Sequence, residues 1–114
     1  MIEEMIRARA NLLRRTREFF QNEGYLEVDT PHLSPTVIPE EHIDLFKTDF
    51  VHPYEDERAT PLYLLPSPER YMKPLLGKIG GRVFQLAHCF RNRENLSQHH
   101  NPEFMMLEYY ETDV

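Results

Sequence analysis

Two apolar segments separated by a polar stretch constrain the fold more than any other feature of the sequence. The first segment runs from Arg82 to Phe90, after the pair Gly80-Gly81, and the second runs from Phe104 to Tyr110. Both segments are rich in apolar and aromatic residues, which is typical of strands, whereas residues 91–103 are mostly polar. The pattern predicts an antiparallel hairpin with a long loop.

The alternation of side chains along each predicted strand decides which residues share a face. On the second strand Phe104, Glu108 and Tyr110 share one face, so a carboxylate lies beside a phenol in an apolar stretch. At the end of the first strand, Arg91 carries a fork of donors suited to a phosphate or a carboxylate, and the Phe104 ring suits a planar base. We therefore expect a ligand site over this face. The structural alternative is an ordinary ion pair between Arg91 and Glu108.

The N-terminal segment predicts a long amphipathic helix. Apolar residues recur with helical spacing from about residue 3 to residue 22, and Gly24 suits the position just past the helix end. Residues 25–30 then alternate as a short strand, which ends at Pro31 because proline has no amide hydrogen to give to a sheet.

The middle of the chain predicts further short elements. Residues 46–51 and residues 62–65 are candidate strands, separated by proline-rich and charged sequence. A short helix is predicted over about residues 68–76, with Ser67 as the N-cap and Pro68 as the first helical residue.

Composition excludes several classes of protein. The 114 residues are enough for one domain, and 19 acidic against 13 basic residues give a net charge of −6, which argues against a dedicated nucleic-acid binder. With no long apolar run and no signal peptide, we expect a cytoplasmic protein with no membrane partner.

The single Cys89 is interpreted as a small core residue. His99 and His100 lack the companions of a tetrahedral site, so no metal ligands are expected in this chain.

Three segments together resemble the class II aminoacyl-tRNA synthetases of the lysine type. Phe90-Arg91-Asn92, a polar loop and then residues 100–108 (HNPEFMMLE) resemble motif 2 of that family. The long helix with residues 25–31 resembles motif 1, and residues 65–73 resemble the segment that helps to hold the amino acid. The resemblance implies an α+β fold, an antiparallel sheet flanked by helices. It implies that residues 1–114 are the N-terminal portion of a catalytic domain, with motif 1 at about 3–31, the substrate segment at about 62–76 and motif 2 at about 82–112.

The resemblance also implies a reaction, the activation of lysine or β-lysine by ATP as an aminoacyl adenylate. Arg91 is the implied catalytic residue, bridging the α-phosphate and the substrate carboxylate, while Phe104 stacks on adenine. Mg²⁺ is the implied second cofactor, with its ligands in the motif 3 region expected beyond Val114. The other implied ATP-site residues are Asn92, Arg93, Glu94, His100 and Asn101, and the implied amino-acid site is Ser67, Pro68, Glu69, Glu108 and Tyr110.

Within this class the chain is more similar to the elongation factor P lysine ligases than to the lysyl-tRNA synthetases. Met1 lies almost on the motif 1 helix, so no anticodon-binding barrel is expected before it, and Ser67-Pro68-Glu69 is closer to the ligase pattern. The implied acceptor is then a lysine of elongation factor P, and the implied assembly is a homodimer through the motif 1 helix. Two alternatives remain: a lysyl-tRNA synthetase fragment that charges tRNA, and a non-catalytic dimerisation module.

The loop of motif 2 departs from the family pattern. The family places a Glu two residues after the motif 2 arginine, where it reads the adenine amino group, but this sequence has Arg93 there and Glu94 next. A loop shifted by one residue would restore Glu94 to that position. Because motif 3 is absent, we expect weak or no turnover from these 114 residues alone.

Overall fold

The described part of the chain forms two helices and two three-stranded sheets. A computed structural model describes residues 1–36, 45–55, 58–92 and 101–112. The elements in chain order are α1 (Ile2–Asn22), β1 (Leu26–Glu27), β2 (Leu33–Ser34), β3 (Lys47–Val51), β4 (Ala59–Leu64), α2 (Glu69–Ile79), β5 (Arg82–Phe90) and β6 (Glu103–Glu111).

The predicted hairpin is the centre of the first sheet. β5 and β6 pair antiparallel along their whole length, from Arg82 opposite Glu111 to Phe90 opposite Glu103. β1 adds to the other edge of β5 in parallel, which gives the strand order β1-β5-β6. The hairpin prediction is confirmed, and so is the α+β class.

One face of this sheet is held by an aromatic cluster against the end of α1. The Phe20 ring stacks on the buried Phe84 ring at 4.9 Å between centroids, and it also contacts Tyr25 and Tyr109 at 5.1 Å each. Such pairs add about 0.5–1.5 kcal/mol each beyond the burial of their apolar area. Part of the core of the first sheet therefore lies between β5, β6 and the C-terminal turn of α1. Another part lies on the opposite face, where Val83, Ala87 and Cys89 of β5 are buried.

The rest of α1 is largely exposed. The helix forms as predicted and is followed by Gly24 at φ 84°, a left-handed conformation that glycine adopts without a steric penalty. Large apolar side chains on its N-terminal half face solvent, among them Ile2, Met5, Ile6 and Leu12. The helix thus has an apolar stripe that the described part of the chain does not cover.

The second sheet has the order β2-β4-β3, with antiparallel pairing throughout. Leu65, just after β4, connects the two sheets: its N–H donates to the carbonyl of His32 at 3.0 Å and its carbonyl accepts from the N–H of Phe90 at 3.1 Å. This bridge fixes the start of α2 relative to the end of β5. No helix in the described ranges is long and apolar enough to cross a bilayer.

Two predicted strands have different bounds in the structure. The strand predicted over residues 25–30 is regular only at Leu26–Glu27. Val28 still donates its N–H to the carbonyl of Phe84 at 2.9 Å, and Thr30 then turns its hydroxyl toward Gln85. The strand predicted over residues 62–65 begins earlier, at Ala59, because it pairs along the length of β3.

The helix prediction near residue 68 is also corrected in its details. α2 begins one residue later than predicted, with Pro68 rather than Ser67 at the N-cap, and it extends to Ile79. The Ser67 hydroxyl still stabilises the helix start, because it accepts a hydrogen bond from the N–H of Glu69 at 3.3 Å. Gly80, at φ 66°, follows the last turn.

Candidate functional site

The face of the sheet opposite the aromatic cluster carries the candidate site. The register places Gln85 opposite Glu108 and Cys89 opposite Phe104, so these four side chains share a face. The predicted grouping of Phe104, Glu108 and Tyr110 on one face is confirmed. Cys89 is buried on the same face, as its interpretation as a core residue requires. We call the surface formed by Gln85, Cys89, Phe104, Glu108 and Tyr110 the front face.

At one end of the front face, Arg91 and Phe104 are in contact. The Arg91 guanidinium carbon lies 5.0 Å from the centroid of the Phe104 ring, within the range of a cation–π interaction. The Arg91 backbone is fixed as well, because its N–H donates to the carbonyl of Pro102 at 2.9 Å. The structure therefore brings an anion-binding fork and an aromatic plane together at the end of the hairpin where the connecting loop begins.

At the other end, Glu108 and Tyr110 form a hydrogen-bonded pair. The Tyr110 hydroxyl donates to Oε2 of Glu108 at 2.9 Å, and both side chains are half-buried. Residues two apart on a strand point to the same side, which is why the pair forms within β6. The hydrogen bond orients the carboxylate and leaves its other oxygen for a further donor.

The first turn of α2 adds charge to this end. Glu69 opens the helix, and its carboxylate forms an ion pair with the ammonium of Lys73 one turn later. Pro68, which is buried, and the Ser67 hydroxyl define where the helix starts and so position Glu69. Of the predicted amino-acid-site residues, Ser67 and Pro68 thus have a structural role in the chain.

We call Glu69, Lys73, Glu108 and Tyr110 the carboxylate cluster, and its electrostatics favour binding of a cation. Partial burial raises the pKa of Glu108, while the hydrogen bond from Tyr110 works in the opposite direction, Glu69 raises it further and Lys73 lowers it. Burial, followed by the hydrogen bond to Glu108, also raises the pKa of Tyr110, so its hydroxyl keeps its proton and remains a donor. A bound cation would offset the repulsion between the two carboxylates.

The loop residues of the predicted nucleotide site are described only at their ends. Asn92 follows Arg91 and is half-buried, and Asn101 precedes Pro102 and is exposed. The hydrogen bond between Arg91 and Pro102 holds these two ends close together. Arg93, Glu94 and His100 lie outside the described residues, so their predicted roles stay predictions.

Sequence reasoning missed two features of the candidate site. Thr30 donates through its hydroxyl to Oε1 of Gln85 at 2.8 Å, and both side chains are buried. The amide nitrogen Nε2 of Gln85 is buried without a hydrogen-bond partner in the described part of the chain. The sequence signal for this buried hydrogen bond was the presence of Gln85 inside an otherwise apolar strand. Lys73 is the second feature, and its signal was the spacing of four residues from Glu69.

A metal site is not formed by the described residues. No group of three or more His, Cys, Asp or Glu side chains lies close enough together there to hold an ion. The expectation that Mg²⁺ ligands lie elsewhere stays an expectation.

Comparison with known proteins gives a consistent result. The class II tRNA synthetases (D, K and N) match the chain over residues 1–114. The chain is 47% identical over 108 residues to an elongation factor P--(R)-beta-lysine ligase from Vibrio vulnificus, which covers 94% of this chain and 32% of that protein. It is 48% identical over 107 residues to the ligase of the same name from Actinobacillus succinogenes, with the same two coverages. A third such ligase, from Vibrio cholerae, is 46% identical over 105 residues.

These matches cover most of the chain but only part of the relatives. The chain spans about a third of the length of the curated relatives it matches. The matched residues include both helices and both sheets, since they run over nine-tenths of the chain or more.

Proposed function

The chain belongs to the class II tRNA synthetases (D, K and N), and on that premise we propose that it forms part of an ATP-dependent ligase site. The proposed enzyme activates lysine or β-lysine as an aminoacyl adenylate and transfers the acyl group to a lysine of elongation factor P. The relatives described above are elongation factor P--(R)-beta-lysine ligases, and their names support this acceptor. The observation that carries the proposal is the front face, with an Arg–Phe contact at one end and a carboxylate cluster at the other.

Arg91 addresses the main physical difficulty of the first step. The carboxylate oxygen of the amino acid attacks the α-phosphorus of ATP, and the bond from that phosphorus to pyrophosphate breaks. Both reactants are anionic, so they repel each other as they approach. A guanidinium fixed between them neutralises this repulsion and stabilises the additional charge on the phosphate in the transition state. The acceptor amine then attacks the carbonyl carbon, AMP leaves, and the amine loses a proton.

The carboxylate cluster is proposed to select a cationic amino acid. Glu69 and Glu108 would accept hydrogen bonds from ammonium groups of the substrate, and Tyr110 would hold the Glu108 carboxylate in position. An ammonium group beside Glu108 favours the ionised carboxylate, so it offsets the effect of burial on its pKa. A neutral side chain would leave these charges without a partner, which disfavours its binding.

Phe104 is proposed to stack on adenine, with Asn92, Arg93, Glu94, His100 and Asn101 lining the nucleotide site. Adenine would stack on the ring face opposite the one that the Arg91 guanidinium contacts. Mg²⁺ would neutralise phosphate charge when bound with ATP, and we propose that its ligands lie outside the described residues.

A homodimer through α1 is part of the proposal. The exposed apolar side chains of its N-terminal half, such as Ile6 and Leu12, would be buried in such an interface. Burying large apolar side chains is favourable by about 1.5–3 kcal/mol each relative to exposure. A sedimentation experiment on the wild type and on Ile6→Glu tests this, because the charge would weaken a dimer.

Pyrophosphate exchange tests the first step directly. The full-length protein that contains this chain should exchange labelled pyrophosphate into ATP only when lysine or β-lysine is present. Incubation with elongation factor P and with tRNA(Lys) then identifies the acceptor. Labelling of elongation factor P supports the proposal, and charging of tRNA alone favours the lysyl-tRNA synthetase alternative. A dimer without exchange and without nucleotide affinity favours the non-catalytic module.

A further inference from the structure

Lys73 forms an ion pair with Glu69 inside the carboxylate cluster. The two residues are one helical turn apart on α2, and the ammonium of Lys73 contacts Oε1 of Glu69. The Lys73 side chain is 58% exposed, whereas that of Glu69 is 31% exposed. The lysine therefore approaches the carboxylate from the solvent side, on a flexible stem that can move away.

The carboxylate of Glu108 lies close enough to this ion pair to interact with it electrostatically. α2 packs against β6, and the charges of both Glu69 and Lys73 act on Glu108 in opposite directions. The other titratable group that faces Glu108 in the described residues is the Tyr110 hydroxyl, which is neutral. Together these side chains supply two carboxylates, one neutral donor and one ammonium that belongs to the protein.

We propose that Lys73 is a tethered counter-ion that occupies Glu69 until an ammonium group of the amino acid displaces it. Lys73 is therefore a positioning residue that sets the affinity of the pocket, and it does not contact the reacting atoms. This inference rests on the proposed function, because it requires that the pocket take a cationic amino acid.

Lys73 and an ammonium group of the substrate compete for the Glu69 carboxylate because both are cations. Two ammonium groups on one carboxylate repel each other, and most strongly on the same oxygen, so a substrate ammonium that takes Oε1 of Glu69 moves Lys73 toward solvent. The free protein keeps the ion pair, which reduces the repulsion between Glu69 and Glu108. Removing the ammonium therefore destabilises the empty pocket but leaves the occupied pocket unaffected. The substrate should bind more tightly as a result, which is the opposite of what removal of a substrate-binding residue does.

The test compares two charge deletions on the same helix of the full-length protein. Lys73→Gln should lower the dissociation constant for lysine, measured by calorimetry, by about two- to fivefold, the range of an exposed ion pair. It should lower KM for lysine in pyrophosphate exchange by the same factor and leave kcat unchanged. Lys78→Gln, in the last turn of α2 and exposed, removes the same charge at a distance from the cluster and should change neither constant.

A second variant guards against loss of structure. Lys73→Met keeps the length of the stem without the charge, and it should show the same tighter binding. An unchanged or raised dissociation constant in both Lys73 variants would overturn the inference, and so would equal tightening in Lys78→Gln. If the wild type binds lysine and exchanges pyrophosphate while the Lys73 variants do not tighten, this inference fails and the proposed function stands. If the wild type does neither, both fail.

Discussion

The two faces of the β1-β5-β6 sheet are built from alternate residues of the same strands, yet they are held by different forces. On one face, Phe84 and Tyr109 pack with the end of α1 in an aromatic cluster. On the front face, Glu108 and Tyr110 form a hydrogen-bonded pair, and Arg91 lies over Phe104. The aromatic face gains stability by burying apolar surface. The front face also buries apolar residues of β5, such as Val83 and Ala87, but beside them it buries part of the Glu108 carboxylate, which costs stability unless a cation or donor offsets it.

The contrast shows that the aromatic side chains that hold α1 to the sheet and the side chains proposed to bind substrate lie on opposite faces. Within the front face the two strands also differ, because Val83 and Ala87 of β5 are buried whereas Glu108 of β6 is half-buried. Substitution of the buried Phe84 should therefore lower the free energy of unfolding, whereas substitution of the half-buried Glu108 or Phe104 on the front face should lower binding or rate. Four predictions test that separation, in order of decreasing effect.

Phe84→Ala should have the largest effect on stability. The side chain is fully buried and stacks on Phe20, so its removal leaves a cavity and should lower the free energy of unfolding by about 3–5 kcal/mol. Urea denaturation of the full-length protein measures this. Leu107→Ala, which removes a more exposed side chain from the same face, is the control. A loss below about 1 kcal/mol in Phe84→Ala would show that the aromatic cluster does not hold the sheet.

Glu108→Gln should weaken the binding of lysine with little loss of stability. The amide still accepts the hydrogen bond from Tyr110, but it cannot pair with an ammonium group. Loss of a charged hydrogen bond of about 1.5–3 kcal/mol corresponds to a KM for lysine about 10–100 times higher. Glu111→Gln removes the same charge from the opposite face of β6 and should leave KM unchanged. Equal KM values in Glu108→Gln and the wild type would refute the proposed cation site.

Phe104→Leu should raise KM for ATP and leave KM for lysine unchanged. Leucine keeps an apolar side chain at the position but removes the aromatic plane proposed to stack on adenine. Because an aromatic stack is worth about 0.5–1.5 kcal/mol, the expected increase is about two- to tenfold. Steady-state exchange kinetics with each substrate varied in turn provide both constants. An increase in KM for lysine instead would place Phe104 in the amino-acid pocket.

The pH dependence of stability should show the smallest effect. Burial raises the pKa of Glu108 in the folded state above its ordinary value of 4.5, so the folded state keeps a proton that the unfolded state loses. The wild type should therefore lose stability relative to Glu108→Gln as the pH rises from about 4.5 through the folded-state pKa of Glu108. Urea midpoints for both proteins across this range measure the difference. A difference that grows in the opposite direction would mean that the carboxylate is stabilised by its surroundings.

Local periodicity made the main elements of the first sheet and the helix α1 predictable from the sequence. The paired strands, the shared face of Phe104, Glu108 and Tyr110, and the long helix α1 all follow from patterns within short stretches of sequence, whereas the exposure of the apolar stripe of α1 does not. The short strand β2 could not be predicted, since two residues carry no periodicity and their partner, β4, lies about 30 residues away.

The composition of the pocket was harder to predict for a related reason. The spacing of Glu69 and Lys73 shows that they can pair within a helix, but their proximity to Glu108 depends on how α2 packs on β6. Likewise, the bond between Thr30 and Gln85 joins positions 55 residues apart. Tertiary packing, and not local pattern, determines such contacts.

The most direct test of the account compares two arginines at opposite ends of β5. Arg91 lies beside Phe104 on the front face, whereas Arg82 pairs with Glu111 and donates to the carbonyl of Glu23. Arg91→Ala in the full-length protein should reduce lysine-dependent pyrophosphate exchange by about 10²–10³ without a change in the urea midpoint, while Arg82→Ala should keep most of the exchange. Exchange in Arg91→Ala equal to that of Arg82→Ala would contradict the proposal that the front face brings the two anionic substrates together.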